Sequence, residues 1–360
     1  MRAFAVVFLG LLCIPTLAAD SPATRATASA QVDALFAPFR QGVQPGAAVL
    51  VVWRGAIVHE AAYGYADLEQ RVPLTVDSTF RLDSVSKQFT AMAVMLLAEQ
   101  GRLNYDDPIA RYLPELASYP GVTVRNLLNH TGGLPDYYDL IDTSKGWPTN
   151  AEAKVLIGKL AKPEFVPGSR YEYSNAGYDM LAQVVEAASG QNFAAFMRER
   201  IFEPLGMQHS LIYDTTKPHV DHRVLGYDPD GKGFKLDDEH PLNGIVGAGG
   251  VFTTLGDMFL WDQALYGERL VSRATLDQAF TGAVLNDGRR IDYGFGWRIG
   301  EYRHSRRIEH GGAWVGFRSH IARHPGIGLT IVILANSSGF EAERYIDRIA
   351  DIYLAAMDGR

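Results

Sequence analysis

Hydrophobic positions along this chain change their period several times, and each change marks an element. Ala47-Ala48-Val49-Leu50-Val51-Val52-Trp53 is apolar without interruption, the mark of a strand covered on both faces. Arg54-Gly55 then turns the chain into Ala56-Ile57-Val58-His59-Glu60-Ala61-Ala62-Tyr63, so a hairpin is predicted over 47–63. The far end mirrors it. Phe317 to Arg323 alternates, Pro325-Gly326 turns, and Leu329 to Leu334 is a β-branched apolar run. After Asn336-Ser337-Ser338-Gly339, apolar residues recur at Ala342, Tyr345, Ile346, Ile349, Ile352, Tyr353 and Ala356, a helical stripe. A helix is also predicted over 30–39, behind a small-residue leader over 20–30 that is expected to be mobile.

The middle differs. Residues 84 to about 225 read mostly as helices joined by Pro/Gly loops. Gln88 to Gln100 stops at Gly101, Asn175 to Ser189 stops at Gly190, and Phe193 to Ile201 follows at once. No repeat at a period of 20–50 residues is visible. The expected architecture is α/β (α+β), a single domain over 20–360. One sheet is assembled from both termini (about 31–83 plus 245–360), with a mainly helical part (about 84–244) inserted between them. A cleft between the two parts is the natural place for a site.

Composition narrows the function. Hydrophobic residues make up 47% and charged residues 21%, the balance of a soluble globular chain. The net charge is −7, and Lys/Arg blocks are absent, which excludes a nucleic-acid-binding surface. At the N-terminus, Arg2 precedes the apolar run Ala3 to Leu12, and Thr16-Leu17-Ala18-Ala19 supplies small residues for cleavage. A signal peptide is predicted over 1–19, and with it export to the periplasm or medium. The run is shorter than the roughly 20 residues of a membrane span. Cys13, the single cysteine, lies inside this segment. The mature chain therefore has no thiol nucleophile, cysteine metal ligand or disulfide, and its stability must come from a large core.

Three segments can carry chemistry. In Arg81-Leu82-Asp83-Ser84-Val85-Ser86-Lys87, Ser84 precedes a run, Ala91 to Ala98, that is apolar on every side and so belongs in a core. Lys87 falls one turn after Ser84 on the same face. A lysine desolvated there has its charged form disfavoured, and a neutral amine can take a serine proton. The helix N-terminus favours an oxyanion at Ser84. Read alone, the tetrapeptide fits a helix cap followed by a solvated lysine better than it fits catalysis. Tyr173 and Asn175 flank one residue in Tyr171-Glu172-Tyr173-Ser174-Asn175, so a turn can aim both into one cleft; packed rings and a capping asparagine fit the same residues. His310-Gly311-Gly312-Ala313 lets a ligand approach the backbone beside a strand, where the Ala313 amide can join that of Ser84 in an oxyanion hole. A glycine-rich turn before an edge strand also fits.

Taken in order, Ser84-x-x-Lys87, Tyr173-x-Asn175 and His310-Gly311-Gly312 resemble the three motifs of the serine β-lactamase and penicillin-binding superfamily. Leu127-Leu128-Asn129-His130-Thr131-Gly132-Gly133-Leu134-Pro135 and Gly247-Ala248-Gly249-Gly250-Val251-Phe252-Thr253-Thr254 are similar to family segments around them. The chain is most similar, from about 31 to 357, to the class C β-lactamase-related group of DD-peptidases, D-aminopeptidases and carboxylesterases. The resemblance implies a β-lactamase/transpeptidase-like fold with an antiparallel sheet flanked by helices. It makes Ser84 the acylated nucleophile, with Lys87 and Tyr173 as general acid/base, and Asn175 orienting the substrate. The Ser84 and Ala313 amides, the latter beside Gly312, stabilise the oxyanion. His310 stands where many members carry a lysine, and an imidazole is largely uncharged at neutral pH. Tyr137 falls roughly where dedicated β-lactamases place a glutamine, and an aromatic wall there suits an apolar acyl group. Both departures point to a peptidase or esterase.

The ten histidines call for a metal search. His320 and His324 sit on a predicted strand, His219 and His222 in a polar loop, and no His-Glu-x-x-His occurs, so no metal is expected. Gly247 to Gly250 lacks dinucleotide spacing. Tyr227 to Gly233 reads as a surface loop without the glutamate of a calcium loop. No cofactor is expected. The expected function is acyl-serine hydrolysis of amide or ester bonds in a small-molecule or peptide substrate (D-amino-acid peptide, ester or β-lactam). The alternatives are a β-lactamase proper and a non-catalytic penicillin or peptidoglycan binder.

Overall fold

The structure, a computed structural model, describes residues 22–160 and 162–357. The predicted signal peptide over 1–19, Cys13 included, lies outside the described residues. The first helix, α1 (Pro22–Phe36), begins well before the predicted start at 30. The segment expected to be a mobile leader is thus largely helical. Its alanines are good helix formers, and Ala28, Val32 and Phe36, spaced four apart, are all buried. Phe36 stacks on Tyr63 at 4.7 Å.

Strands β1 (Ala47–Trp53) and β2 (Ala56–Tyr63) form the predicted hairpin. Helix α2 (Lys87–Glu99) and helix α3 (Asn175–Ser189) lie in the middle, and α4 (Leu255–Ala264) begins the return to the sheet. The C-terminal part supplies β3 (Arg298–Tyr302), β4 (Ser305–Trp314), β5 (Phe317–His324), β6 (Leu329–Ala335) and the closing helix α5 (Ala342–Met357). The six strands make one sheet in the order β3-β4-β5-β6-β1-β2, antiparallel throughout. β1 pairs with β6 from Ala47 opposite Ala335 to Trp53 opposite Leu329. The two termini thus meet in the middle of the sheet, as the mirrored apolar runs predicted.

Alternation divides the burial. Ala47, Val49, Val51 and Trp53 pack with Ile331, Ile333, Ile346 and Ile349 under α1 and α5. Ala48, Leu50 and Val52 join the larger core around α2 and α4. The middle of the chain is less helical than its pattern implied. From Gly101 to Thr149 only short helical turns and Val124–Leu128 occur. Tyr227–Asp230 and Gly233–Leu236 pair as a small hairpin where a loop was expected. Both differences have one cause: short segments there are held by tertiary contacts that helical period does not report.

Candidate active site

The nucleophile candidate sits on a turn pinned from two sides. Phe80–Arg81 pairs with Val251–Thr253, and the Leu82 amide donates to the Val251 carbonyl at 2.9 Å. A 3₁₀ turn over Asp83–Ser86 carries Ser84 directly into α2, and Asp83 takes a left-handed φ of 50°, a strained conformation for a residue with a side chain. Every residue from Lys87 to Leu97 is buried, so Lys87 is held without water around it.

The Lys87 ammonium position is triply coordinated. Nζ donates to Ser84 Oγ at 3.1 Å, to Asn175 Oδ1 at 2.8 Å and to the Ala248 carbonyl at 3.1 Å. It also lies 4.8 Å from the Tyr173 ring centre. Asn175 does not cap α3. Ser174 does so, its Oγ accepting from the Gly177 amide at 3.2 Å, and this leaves the Asn175 amide free to face Lys87. Tyr173 is held from behind by His130, whose ring centre is 4.3 Å away and whose Nδ1 accepts from the Ser174 amide at 3.1 Å.

Burial lowers the Lys87 pKa to about 7, with Asp179 and Asp83 opposing the fall. Burial also pushes the Tyr173 phenol up to about 12, against a hydrogen bond with Ser84 and the charge of Arg298. These are opposite consequences of one cause: desolvation disfavours whichever form is charged. Near neutral pH the lysine can therefore be an amine while the tyrosine stays a phenol.

Glycine 312 explains how the strand reaches this turn. A Cβ there would collide with the Leu82 carbonyl and Ser319 Oγ. Ser319 Oγ donates to the Leu82 carbonyl at 2.6 Å, so β4 and β5 are fastened to the Ser84 turn. Ala313 and Ser84 line one open cavity, which Tyr138, Asn175, Ala248 and Trp314 also line.

Two predicted substrate contacts are corrected. Tyr137 is fully buried, and its hydroxyl donates to Asp179 Oδ2 at 2.7 Å. The neighbouring Tyr138 lines the cavity instead, its hydroxyl donating to the same oxygen at 3.2 Å. His310 is 1% exposed and does not line the cavity. Its Nδ1–H donates to the Gly311 carbonyl at 2.7 Å, and its Nε2 shares a hydrogen bond of 2.9 Å with the Tyr293 hydroxyl. Burial first and Lys87 second lower its pKa to about 3. It stands behind Tyr173, ring centres 6.1 Å apart.

Sequence reasoning missed Asp179. Fully buried on α3, it accepts from Tyr137, Tyr138 and the Ala248 amide, the last at 3.0 Å to Oδ1. Ala248 is also the residue whose carbonyl receives Lys87. Burial raises the Asp179 pKa, and the Tyr137 and Ala248 hydrogen bonds, Lys87 and Tyr138 oppose the rise. The available signal was its position: four residues after Asn175, on the same face of the helix.

Comparison with known proteins finds relatives over most of the chain. Residues 32–355 match the Beta-lactamase family. A penicillin-binding protein of Bacillus subtilis is 36% identical over 318 residues, covering 84% of this chain and 70% of the relative. A D-aminopeptidase of Brucella anthropi is 34% identical, covering 83% of this chain, which spans only 57% of that relative's length. The D-amino acid amidase of Ochrobactrum anthropi superposes with a TM-score of 0.76 at 25% identity, over 94% of this chain and 99% of the amidase. The fold is thus β-lactamase/transpeptidase-like.

Proposed function

The chain belongs to the beta-lactamase family and is a serine hydrolase, and on that premise we propose that Ser84 forms an acyl ester with a D-amino-acid amide or small peptide substrate and that water then releases it. The neutral Lys87 amine takes the Ser84 proton as Oγ attacks the carbonyl carbon. The Ser84 and Ala313 amides receive the oxyanion. As the tetrahedral intermediate collapses, the leaving amine takes a proton through Tyr173 and Lys87, and the same groups activate water against the ester. Asn175 holds Lys87 in register with Ser84.

The observation that carries this reading is the 3.1 Å contact between Lys87 Nζ, which is fully buried, and Ser84 Oγ, which is half-buried at the cavity wall. A solvated lysine after a capping serine would show neither. His310 adds no charge beside Tyr173, which supports Lys87 as the base and an amidase or peptidase over a dedicated β-lactamase. The apolar run after Arg2 supports an exported protein.

The test is covalent labelling. Incubated with a fluorescent penicillin or an activated phosphonate, the protein is expected to carry label and Ser84→Ala to carry none. Equal labelling of both would reject Ser84 as the nucleophile. An ester and amide panel on the unlabelled protein then separates the amidase or peptidase from a small-ester carboxylesterase.

A further inference from the structure

An asparagine in the cavity wall has only one end of its side-chain amide answered. Trp314 Nε1 donates to Asn243 Oδ1 at 2.6 Å. An indole nitrogen can only donate, so the atom facing it is the amide oxygen and the other is the NH2 group. That Nδ2 has no hydrogen-bond partner among the described residues, although Asn243 is only 3% exposed. A buried donor left unmet is costly, and each one calls for an explanation.

The surroundings keep this donor in place. Asn243 lies on the turn Pro241–Gly244. Its backbone amide donates to the His240 carbonyl at 2.9 Å, and the Ile245 amide donates to that of Leu242 at 3.1 Å. The Trp314 indole meets His240 edge-on at 5.2 Å and Tyr138 at 6.1 Å. Next along the chain, β4 turns into β5 through Val315, whose left-handed φ of 42° is strained for a β-branched residue. Gly316 seats that turn: its amide donates to the Asp237 carbonyl at 2.7 Å, and a Cβ there would strike the Tyr227 amide. Asn243 and Trp314 both line the Ser84 cavity, together with Tyr138, Leu242 and Ile245. One donor is thus fixed in a mainly apolar stretch of wall, as selective binding requires.

Resting on the reading of Ser84 as nucleophile, we propose that Asn243 is a specificity-determining residue whose Nδ2 donates to a carbonyl oxygen on the side chain of the substrate. In a D-amino-acid amide the scissile carbonyl goes to the Ser84 and Ala313 amides, and an α-ammonium only donates. The side chain is then the part that can answer the donor. The preferred class is D-amino-acid amides with a side-chain carbonyl on an aliphatic stem, over those with an apolar side chain of the same shape.

Calorimetry on the full chain carrying Ser84→Ala separates binding from turnover, with D-glutaminamide and its apolar isostere D-homoleucinamide as probes. D-glutaminamide is expected to bind about tenfold more tightly, because the isostere leaves the donor unmet. Asn243→Leu is expected to bring the two within about twofold or to reverse their order. Asn243→Ser, which keeps a hydroxyl donor, should fall between. A merely structural Asn243 would weaken both probes alike, and a ratio that survives Asn243→Leu overturns the proposal. Equal binding with Asn243 intact, tighter binding of D-homoleucinamide, or binding of neither probe overturns it without any variant having to fold. Phosphonate labelling that does not depend on Ser84 would reject the nucleophile while the side-chain preference still stood, so the two readings fail separately.

Discussion

Alternate residues of β1 serve two unlike cores. Toward α1 and α5, Val49, Val51 and Trp53 meet Ile331, Ile333, Ile346 and Ile349, and the packing is apolar side chain against apolar side chain. Toward α2 and α4, Leu50 and Val52 share a core that also encloses charge. Arg323 Nε meets Asp262 Oδ1 at 2.7 Å with both groups essentially unexposed, and Lys87 and Asp179 are fully buried. Burying apolar area stabilises a fold without regard to direction. Burying charge is costly unless partners are placed with care, and that care is what fixes a lysine amine beside a serine hydroxyl. One face supplies stability, and the other spends some of it on chemistry.

The contrast can be broken most directly at Lys87. Lys87→Met is expected to lower the acylation rate by a factor of about 10²–10⁴ while the protein keeps its circular dichroism spectrum and a cooperative melt. A loss of only a few-fold would make the inner face an ordinary core. On the outer face, Ile333→Ala is expected to cost about 2–5 kcal/mol in denaturant unfolding. The kcat/KM of the protein that remains folded should stay within about twofold, since no outer-core group touches the cavity. A large fall in kcat/KM would erase the distinction between the faces.

The finest test is pH. The base must be neutral, so kcat/KM should rise with pH and level off above about 7, the value burial imposes on Lys87. The negative charge of Asp179 favours the ammonium form and so raises that pKa. Asp179→Asn should therefore move the acid limb downward, by up to about one pH unit, and the variant should keep more of its plateau rate at pH 6 than the parent does. A limb that stays in place would leave Asp179 with the purely structural task of holding Tyr137, Tyr138 and the Ala248 amide.

Much of the outer architecture was legible because it is written locally. The β1–β2 hairpin bounds, the β5–β6 turn and the stripe of α5 follow from runs of apolar residues and the turn residues between them. α1 was read too short because its first half has few large apolar residues; docking of Ala28, Val32 and Phe36 extends it. Ser84, Lys87 and Asn175 were legible as a motif, but Tyr137 and Tyr138 were not separable. Adjacent residues on an irregular loop carry no period that says which one faces in. Asp179 and the neutrality of His310 depend on neighbours far away in the sequence, such as the Ala248 amide for Asp179 and Lys87 for His310.

What the amino-acid order settled alone is therefore the strands of the sheet's two terminal hairpins and the closing helix, the meeting of both chain ends in one sheet, and the reactive residue types. Only the folded molecule decided which ring walls the cavity, which carboxylate is enclosed near Lys87, and that burial lowers the pKa of Lys87 while raising that of Tyr173. The reason is physical. Secondary structure is set by nearest neighbours along the chain, whereas a pKa and an unmet hydrogen bond are set by everything within a few ångströms in space, wherever it lies in the sequence.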